Sequence, residues 1–427
     1  MTDPNYDGYE REQFGVGYIF EHRFNDTVKI GSRLRYGGLD SDFRVLQMAG
    51  PLTGNGLIPR HAAHAVERAY GLTTDNNVQL DFSTGPVTHT VLAGIDFRRT
   101  TSDFKFDLGA AQPLDVTNPR YGFPVGPFAT YTDSEQKMQQ LGVYLQDQIS
   151  FGNFHALLGV RHDWADEESR NRLKNTTQTQ SERAASYRTG LLYQFDNGIA
   201  PYVSYSTSFE PVIGVDASGK SFVPTEASQF EVGVKYKPDF MDALFTVSAF
   251  DITQNNVLTP GPVLGFNIQQ GEIRSRGLEF EARGNVTPNL ELIGALTLLN
   301  TEIAASNISP SVVGNRPQGI PDYFGSLWAN YKFDAGALNG LTLGGGVRFV
   351  GASYADDANK VRAPGYTLID AAIRYDLGAA NAAWKGAEAT LNVTNLLDKE
   401  YYSGCSTGFY CQVGNGRTVL AGLRYRW

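Results

Sequence analysis

The chain has 427 residues, of which 41% are apolar; it contains 46 glycines, 22 tyrosines and 25 phenylalanines, and its formal net charge at pH 7 is −9. An acidic balance without any basic cluster excludes nucleic acid as the expected partner. No stretch of about 18 apolar residues is present, so the sequence predicts no transmembrane helix. The first residues also lack a signal-peptide pattern, which predicts either a chain that is not exported or a missing N-terminus.

The first predicted strand has two unlike faces. Phe14, Val16, Tyr18 and Phe20 share one parity, whereas Gly15, Gly17 and Glu21 share the other, and a period of two is typical of a β-strand. The same alternation recurs along the chain within residues 28–36, 156–164, 278–283 and 369–376. The second face of these strands carries full charges, and we expect it to line a hydrated interior, at Arg33, Arg35, Arg161, Asp163, Glu279, Glu281, Arg374 and Arg424.

The predicted connections alternate between short and long. Tight-turn residues occur at 25–26, 85–86, 152–153, 196–198 and 288–289. Longer polar loops are predicted at 40–76, 101–135, 210–225 and 395–416. Short turns on one rim and long loops on the other are typical of outer-membrane barrels, whereas a soluble β-sandwich seldom needs such long strands or such unequal loops.

The last predicted strand ends the chain on an aromatic residue. Val419, Ala421, Leu423, Tyr425 and Trp427 share one face, and a terminus stays ordered only when pairing holds it. No linker or shift in composition divides the sequence. We therefore predict an all-β fold, an antiparallel transmembrane β-barrel of about 17 strands, with residues 1–427 forming one domain.

Several segments resemble those of TonB-dependent siderophore receptors, and among them the ferric hydroxamate receptors of the ferrichrome type. The resemblance is carried by "QFEVGVKY", "GEIRSRGLEFEARG", "YTLIDAAIRYDL" and "LNVTNLLDKEYY". It implies a receptor and transporter in the outer membrane of a Gram-negative cell. Its cargo is a ferric siderophore, its energy comes from the TonB–ExbB–ExbD system, and its other partners are outer-membrane lipid and the barrel-assembly machinery.

Members of this family begin with a signal peptide, a segment that contacts TonB, and a plug domain inside the barrel. We expect all three, together with the first barrel strands, to be absent from this sequence. About 17 strands compare with about 22 in plugged transporters. The expectation is therefore the C-terminal portion of the receptor barrel, which contacts TonB only through the missing N-terminal part.

The resemblance also suggests ligand-binding aromatics. Phe106 matches a barrel phenylalanine that contacts the siderophore in this family, whereas Leu46 and Met48 stand where ferrichrome receptors carry paired tyrosines. This departure argues against ferrichrome itself as the cargo. Other loop aromatics are candidates for ligand contact or for ordinary loop packing: Tyr121, Phe128, Tyr131, Phe409 and Tyr410.

The resemblance implies further roles near the C-terminus. Cys405 and Cys411, the only cysteines in the chain, match a disulfide in the last surface loop, although two reduced thiols are the alternative. A metal site is disfavoured because two thiolates do not complete a tetrahedral site. Trp427 and Tyr425 match the aromatic insertion signal of outer-membrane barrels.

Rival functions are weaker. Haem receptors of this family carry an iron-ligating histidine in a loop that here spans 212–224 and has none, and His61 and His64 are expected to be ordinary loop residues. No GxSxG or HExxH motif indicates an enzyme. Neither a cofactor nor a metal ligand is expected, since iron arrives already chelated. A passive pore and a non-functional fragment remain as alternatives.

Overall fold

A computed structural model gives the structure of residues 3–216, 218–260, 267–269, 271–307, 309–406 and 410–426. Within these residues, 17 long strands form one sheet. In chain order we label them β1 to β17: Gly8–Arg23, Val28–Met48, Arg60–Thr84, Val87–Ala110, Phe128–Phe151, Phe154–Asn171, Thr176–Tyr193, Ile199–Glu210, Thr225–Tyr236, Ala243–Asn255, Glu272–Thr287, Leu290–Ala305, Tyr323–Lys332, Leu341–Val350, Tyr366–Asp376, Ala387–Thr394 and Thr418–Tyr425. The predicted fold class and strand number are confirmed.

Each strand pairs antiparallel with the next one along the chain, from β1 with β2 to β16 with β17. Because the number of strands is odd, β1 and β17 run in the same direction. Among the described pairings none joins these two strands. Nearly every residue of β1 and all eight residues of β17 are exposed, so the sheet has two free edges.

The outward face of β6 shows where lipid ends. From Phe154 to Trp164 the outward residues are mainly apolar, with Leu158 52% and Val160 60% exposed. These eleven residues match the length of strand, about 9–11 residues, that crosses a bilayer. Beyond Trp164 the same face carries Asp166, Glu168 and Arg170. The upper end of β6 therefore projects past the membrane on the long-loop side.

Aromatic residues mark the membrane boundary at the short turns. Phe154 packs edge to face against Tyr193, with ring centroids 4.6 Å apart, and Tyr193 packs on Phe195 in the next turn. Tyr331 and Phe333 repeat this arrangement at a later turn. Amphipathic rings prefer the interface between lipid and water, so these turns lie at the opposite membrane surface from the long loops.

Two predicted loops are shorter than expected. Strand β2 extends to Met48 and β3 begins at Arg60, so the loop between them is 49–59. Likewise β4 reaches Ala110 and β5 begins at Phe128. Leu46, His61 and His64, predicted in loops, therefore lie in strands. The alternation weakens there because both faces of a strand are solvated above the membrane, although its hydrogen-bond ladder continues.

The remaining elements are small. Two-stranded pairs within the long loops join Leu57–Ile58 to Leu114–Asp115, Leu258–Pro260 to Asn267–Gln269, Ser353–Tyr354 to Arg362–Ala363, and Tyr402–Ser406 to Tyr410–Val413. One α-helical turn, Leu377–Ala380, and the 3-10 turns Pro310–Val312, Gly336–Leu338 and Ala382–Trp384 lie in connections. Across the described ranges, no helix is long and apolar enough to cross a membrane.

Candidate functional site

The upper part of β4 carries two aromatic side chains on the lumen face. Phe104 and Phe106 are two residues apart and therefore point the same way. Their ring centroids lie 6.4 Å apart with nearly parallel planes. Both share the face of Asp96, which lies lower in the same strand and bonds the lumen residue Arg161. Since the outward face of β4 becomes charged above Phe97, the pair lies above the lipid.

A β-bulge brings a third ring to these two. Phe106 pairs with Thr132 and Asp107 with Thr130, which leaves Tyr131 as an extra residue in β5. A bulge redirects the side chain of the residue it inserts. The ring of Tyr131 meets Phe106 edge to face, with centroids 6.4 Å apart and planes at 86°. We call Phe104, Phe106 and Tyr131 the upper aromatic cluster.

Polar groups lie beside this cluster. Glu67 of β3 pairs with Phe104, and its carboxylate accepts a hydrogen bond of 3.1 Å from the Ser102 hydroxyl. Flat apolar rings with a few fixed polar groups are the usual lining of a site for a small organic molecule. The cluster therefore offers a stacking surface at the mouth of the lumen.

Phe128 and Tyr121 lie elsewhere at this mouth. Phe128 stacks on Tyr6, whose segment precedes β1, with ring centroids 6.3 Å apart. The Tyr6 hydroxyl donates to the Ala63 carbonyl oxygen, so the contact fastens the start of the chain to β3. Tyr121 lies in the 111–127 loop and is 45% exposed. These contacts hold the Phe128 ring in place, and ligand contact by Phe128 or Tyr121 stays a prediction.

Sequence reasoning missed Phe104. Its signal was available, because a strand that contains Phe106 places residue 104 on the same face. The bulge at Tyr131 gave no such signal, since nothing in the local sequence specifies an extra residue in the pairing. The packing of Tyr6 on Phe128 joins segments that are far apart in the chain. The local sequence pattern therefore could not predict it either.

Lower in the lumen, Arg161 of β6 lies between two carboxylates. Its guanidinium donates to both oxygens of Asp96 at 2.5 and 3.0 Å, and to both oxygens of Asp163 at 2.6 and 2.8 Å. Gln140 donates to Asp163 at 2.9 Å. A Cβ on Gly142 would lie 2.0 Å from an Arg161 nitrogen, so any other residue there would displace the guanidinium from its present position. The cluster crosslinks β4, β5 and β6 from inside the barrel.

The two cysteines lie opposite each other in the last long loop. The Cys405 and Cys411 sulfurs are bonded at 2.01 Å, and these residues pair across the short hairpin that contains them. Cys405 is buried with Ala355 and Ala363 of the preceding long loop. The disulfide therefore fixes the hairpin where two loops pack together.

We predict that alkylating reagents do not modify Cys405 or Cys411 unless the protein is first reduced. Because a disulfide has no thiolate to react, iodoacetamide added to the denatured, unreduced protein should modify neither residue. Mass spectrometry of the peptides, with a reduced sample as the control, measures this directly. Two carbamidomethyl groups without reduction would show that the residues are free thiols.

Three other predicted residues have little or no structural description. Phe409 and Trp427 lie outside the described residues, as does the side chain of Tyr410. Tyr425 lies in β17 and is 59% exposed. The proposed roles of these residues in ligand contact and in membrane insertion therefore stay predictions.

The histidines of β3 are not arranged around a metal. His64 lies 3.0 Å from Asp42 of β2, and burial lowers the pKa of His61, which lies above the membrane-spanning segment. Within the described ranges no group of three or more His, Cys, Asp or Glu side chains could hold a metal ion.

A family model described as TonB dependent receptor-like, beta-barrel, matches residues 1–396. The chain belongs to this family of TonB-dependent receptors. Members of the family are outer-membrane transport proteins and not enzymes. The chain is 35% identical to the ferrichrome outer membrane transporter/phage receptor of Escherichia coli K12, over 98% of this chain and 59% of the relative. It is 33% identical to the ferrioxamine receptor of Yersinia enterocolitica, over 99% of this chain and 60% of that relative.

Solved structures show the same fold. The siderophore receptor PiuA from Acinetobacter baumannii has a TM-score of 0.84 at 20% identity, covering 99% of this chain and 66% of that one. BauA, the ferric preacinetobactin receptor of that organism, has a TM-score of 0.79 at 22% identity. The match covers 99% of this chain and 64% of BauA. The chain thus spans about three fifths of the length of its curated relatives.

Proposed function

We propose that the chain forms most of the barrel wall of an outer-membrane receptor for a ferric siderophore of the hydroxamate type. The receptor binds the chelate at its extracellular mouth and imports it with energy from the TonB–ExbB–ExbD system. The observation that carries this proposal is the upper aromatic cluster, which lies on the lumen face above the lipid. A stacking surface there meets a chelate as it enters the barrel.

The choice of cargo rests on the relatives. Two of them are named for ferrichrome and ferrioxamine, which are both ferric hydroxamates. The chelate already satisfies the iron, so the receptor needs aromatic and polar contacts and no iron ligand. The 212–224 segment contains no histidine that would ligate haem.

We predict that Phe106→Ala weakens binding of a ferric hydroxamate by about tenfold or more, because removing a ring that packs against a ligand costs about 1.4 kcal/mol or more. Titration of the purified receptor, followed by quenching of its intrinsic fluorescence, measures the dissociation constant. Phe104→Ala should act in the same direction.

The matched control is Phe97→Ala, which removes a ring from the opposite face of the same strand. Its effect on affinity should stay within about twofold, since surface substitutions away from a site change free energies by about 0.5 kcal/mol or less. Equal effects of the two substitutions would place the ligand away from the cluster. A receptor that binds no ferric hydroxamate would refute the proposed function itself.

A further inference from the structure

A buried carboxylate without a partner lies on the lumen wall below the upper aromatic cluster. Glu167 of β6 is 7% exposed, and its Oε1 atom is buried without a hydrogen-bond partner. It shares the lumen face with Arg161 and Asp163 because all three occupy alternate positions of one strand. It lies three residues above Trp164 and so outside the membrane-spanning segment.

The groups around Glu167 supply no positive charge. It pairs with Met138 of β5 and Gln180 of β7, and Gln180 donates to the neighbouring carboxylate of Glu182 at 3.0 Å. Burial, followed by repulsion from Glu182, raises the pKa of Glu167 to about 7. A buried anion next to another anion is costly unless a cation joins them.

Three cations near this wall are paired with other carboxylates. On the outward face, Lys137 bridges Glu135 and Glu168, and Arg172 bonds Asp103 and Asp133. In the lumen, Arg161 is held between Asp96 and Asp163. None of the ion pairs found in the described part of the chain includes Glu167.

The loop between β8 and β9 lies against the same wall. Gln178 of β7 donates to the Gly219 carbonyl oxygen at 2.6 Å, and a Cβ on Gly214 would lie 3.9 Å from the Gln136 amide nitrogen. Of the loop charges, Asp216 accepts hydrogen bonds within its own turn, and Lys220 is exposed and belongs to none of the ion pairs found in the described part of the chain. The loop therefore covers this wall without supplying a counterion.

We propose that Glu167, together with Glu182, forms a subsite for a pendant ammonium group of the siderophore. The subsite selects a ferric chelate that carries a positive charge over a neutral one. This inference rests on the proposed function. It further specifies that the transported chelate is positively charged and that Glu167 binds the charged group.

The distances suit such a ligand. Glu167 lies two strands from Phe104 and about four residues lower, which separates their Cα atoms by about 16 Å at the usual strand spacings. A chelate body on the aromatic cluster with an alkylammonium arm spans this separation. A charge-assisted hydrogen bond formed there, away from bulk water, is stronger than one between neutral groups.

The test compares ferrioxamine B, a ferric hydroxamate with an alkylammonium arm, with its N-acetylated neutral form. At pH 7.5 the native receptor, purified from outer membranes, should bind the ammonium form at least about tenfold more tightly. In Glu167→Gln the two dissociation constants should agree within about twofold, with Glu182→Gln in between. Glu168→Gln, which alters the adjacent outward carboxylate, is the matched control and should keep the full preference.

Lowering the pH should have the same effect on the preference for the ammonium form as the Glu167→Gln substitution. Glu167 becomes neutral as the pH falls through about 7, so the preference of the wild type should shrink at pH 5.5, while Glu167→Gln should show no preference at either pH. Equal binding of both chelates by the wild type, or an unchanged preference in Glu167→Gln, overturns this inference and leaves the proposed function intact. Binding of neither chelate overturns both.

Discussion

Replacing Arg161 by methionine should destabilise the folded protein by about 3–5 kcal/mol, because it leaves two lumen carboxylates without their shared cation. Asp163 is the more strongly affected, since only 4% of its side chain is exposed and water cannot replace the guanidinium. Asp96 would lose two hydrogen bonds at once. Urea unfolding of the receptor in phospholipid vesicles, followed by tryptophan fluorescence, gives the change in free energy.

Arg283→Met is the matched control. Arg283 also bonds a carboxylate, that of Glu291 at 2.9 Å, but 73% of its side chain is exposed. An exposed pair contributes about 1 kcal/mol or less. If the two substitutions lowered stability equally, burial of the Arg161 cluster would have no energetic role. Neutralising both acids in Asp96→Asn/Arg161→Met/Asp163→Asn should restore part of the loss, because no buried charge is then left unpaired.

The alternation of side chains predicted the fold because lipid imposes it. Between the two membrane surfaces the outward residues are mainly apolar because they face lipid, so Leu158 and Val160 differ sharply from Arg161 and Asp163. That contrast specified both the strand and the face on which Arg161 lies. Its bonding to Asp96 of β4 was not predictable, because the pattern within one strand carries no information about the register of its neighbours.

The same reasoning explains the errors. Above Trp164 both faces of a strand meet water, so the apolar signal disappears while the strand continues. The upper parts of β2 to β5 were therefore wrongly assigned to the predicted loops 40–76 and 101–135. Continuing the alternation of β6 would also have placed Glu167 on the lumen face. Its burial depends on the β8–β9 loop, whose path the sequence does not specify.

The candidate site was only partly accessible from sequence. Resemblance pointed to Phe106, and strand parity would have added Phe104. Tyr131 was named as one loop aromatic among several, yet its position in the cluster depends on a bulge that only pairing reveals. Phe128 was a candidate on equal grounds, and its packing on Tyr6 is a long-range contact that the sequence did not predict.

The largest expected effect concerns the two free edges. Along β1 about half of the 16 residues direct their backbone groups away from β2. Each unsatisfied group costs several kcal/mol in lipid, so one edge alone costs tens of kcal/mol, more than the stability of an ordinary fold. Because β1 and β17 run in the same direction, antiparallel closure requires an odd number of further strands between them.

We therefore predict that these 427 residues, expressed alone behind a signal peptide, neither persist in the outer membrane nor support growth on a ferric siderophore as the iron source. Heat-modifiable migration on gels and protease resistance report the folded barrel, and growth in an iron-chelated medium reports transport. A hybrid that adds the unmatched part of the ferrichrome transporter supplies the missing pairing, and it should restore both the folded form and growth. Siderophore-dependent growth from the 427 residues alone, or failure of the hybrid to fold, would show that the free edges do not limit this protein.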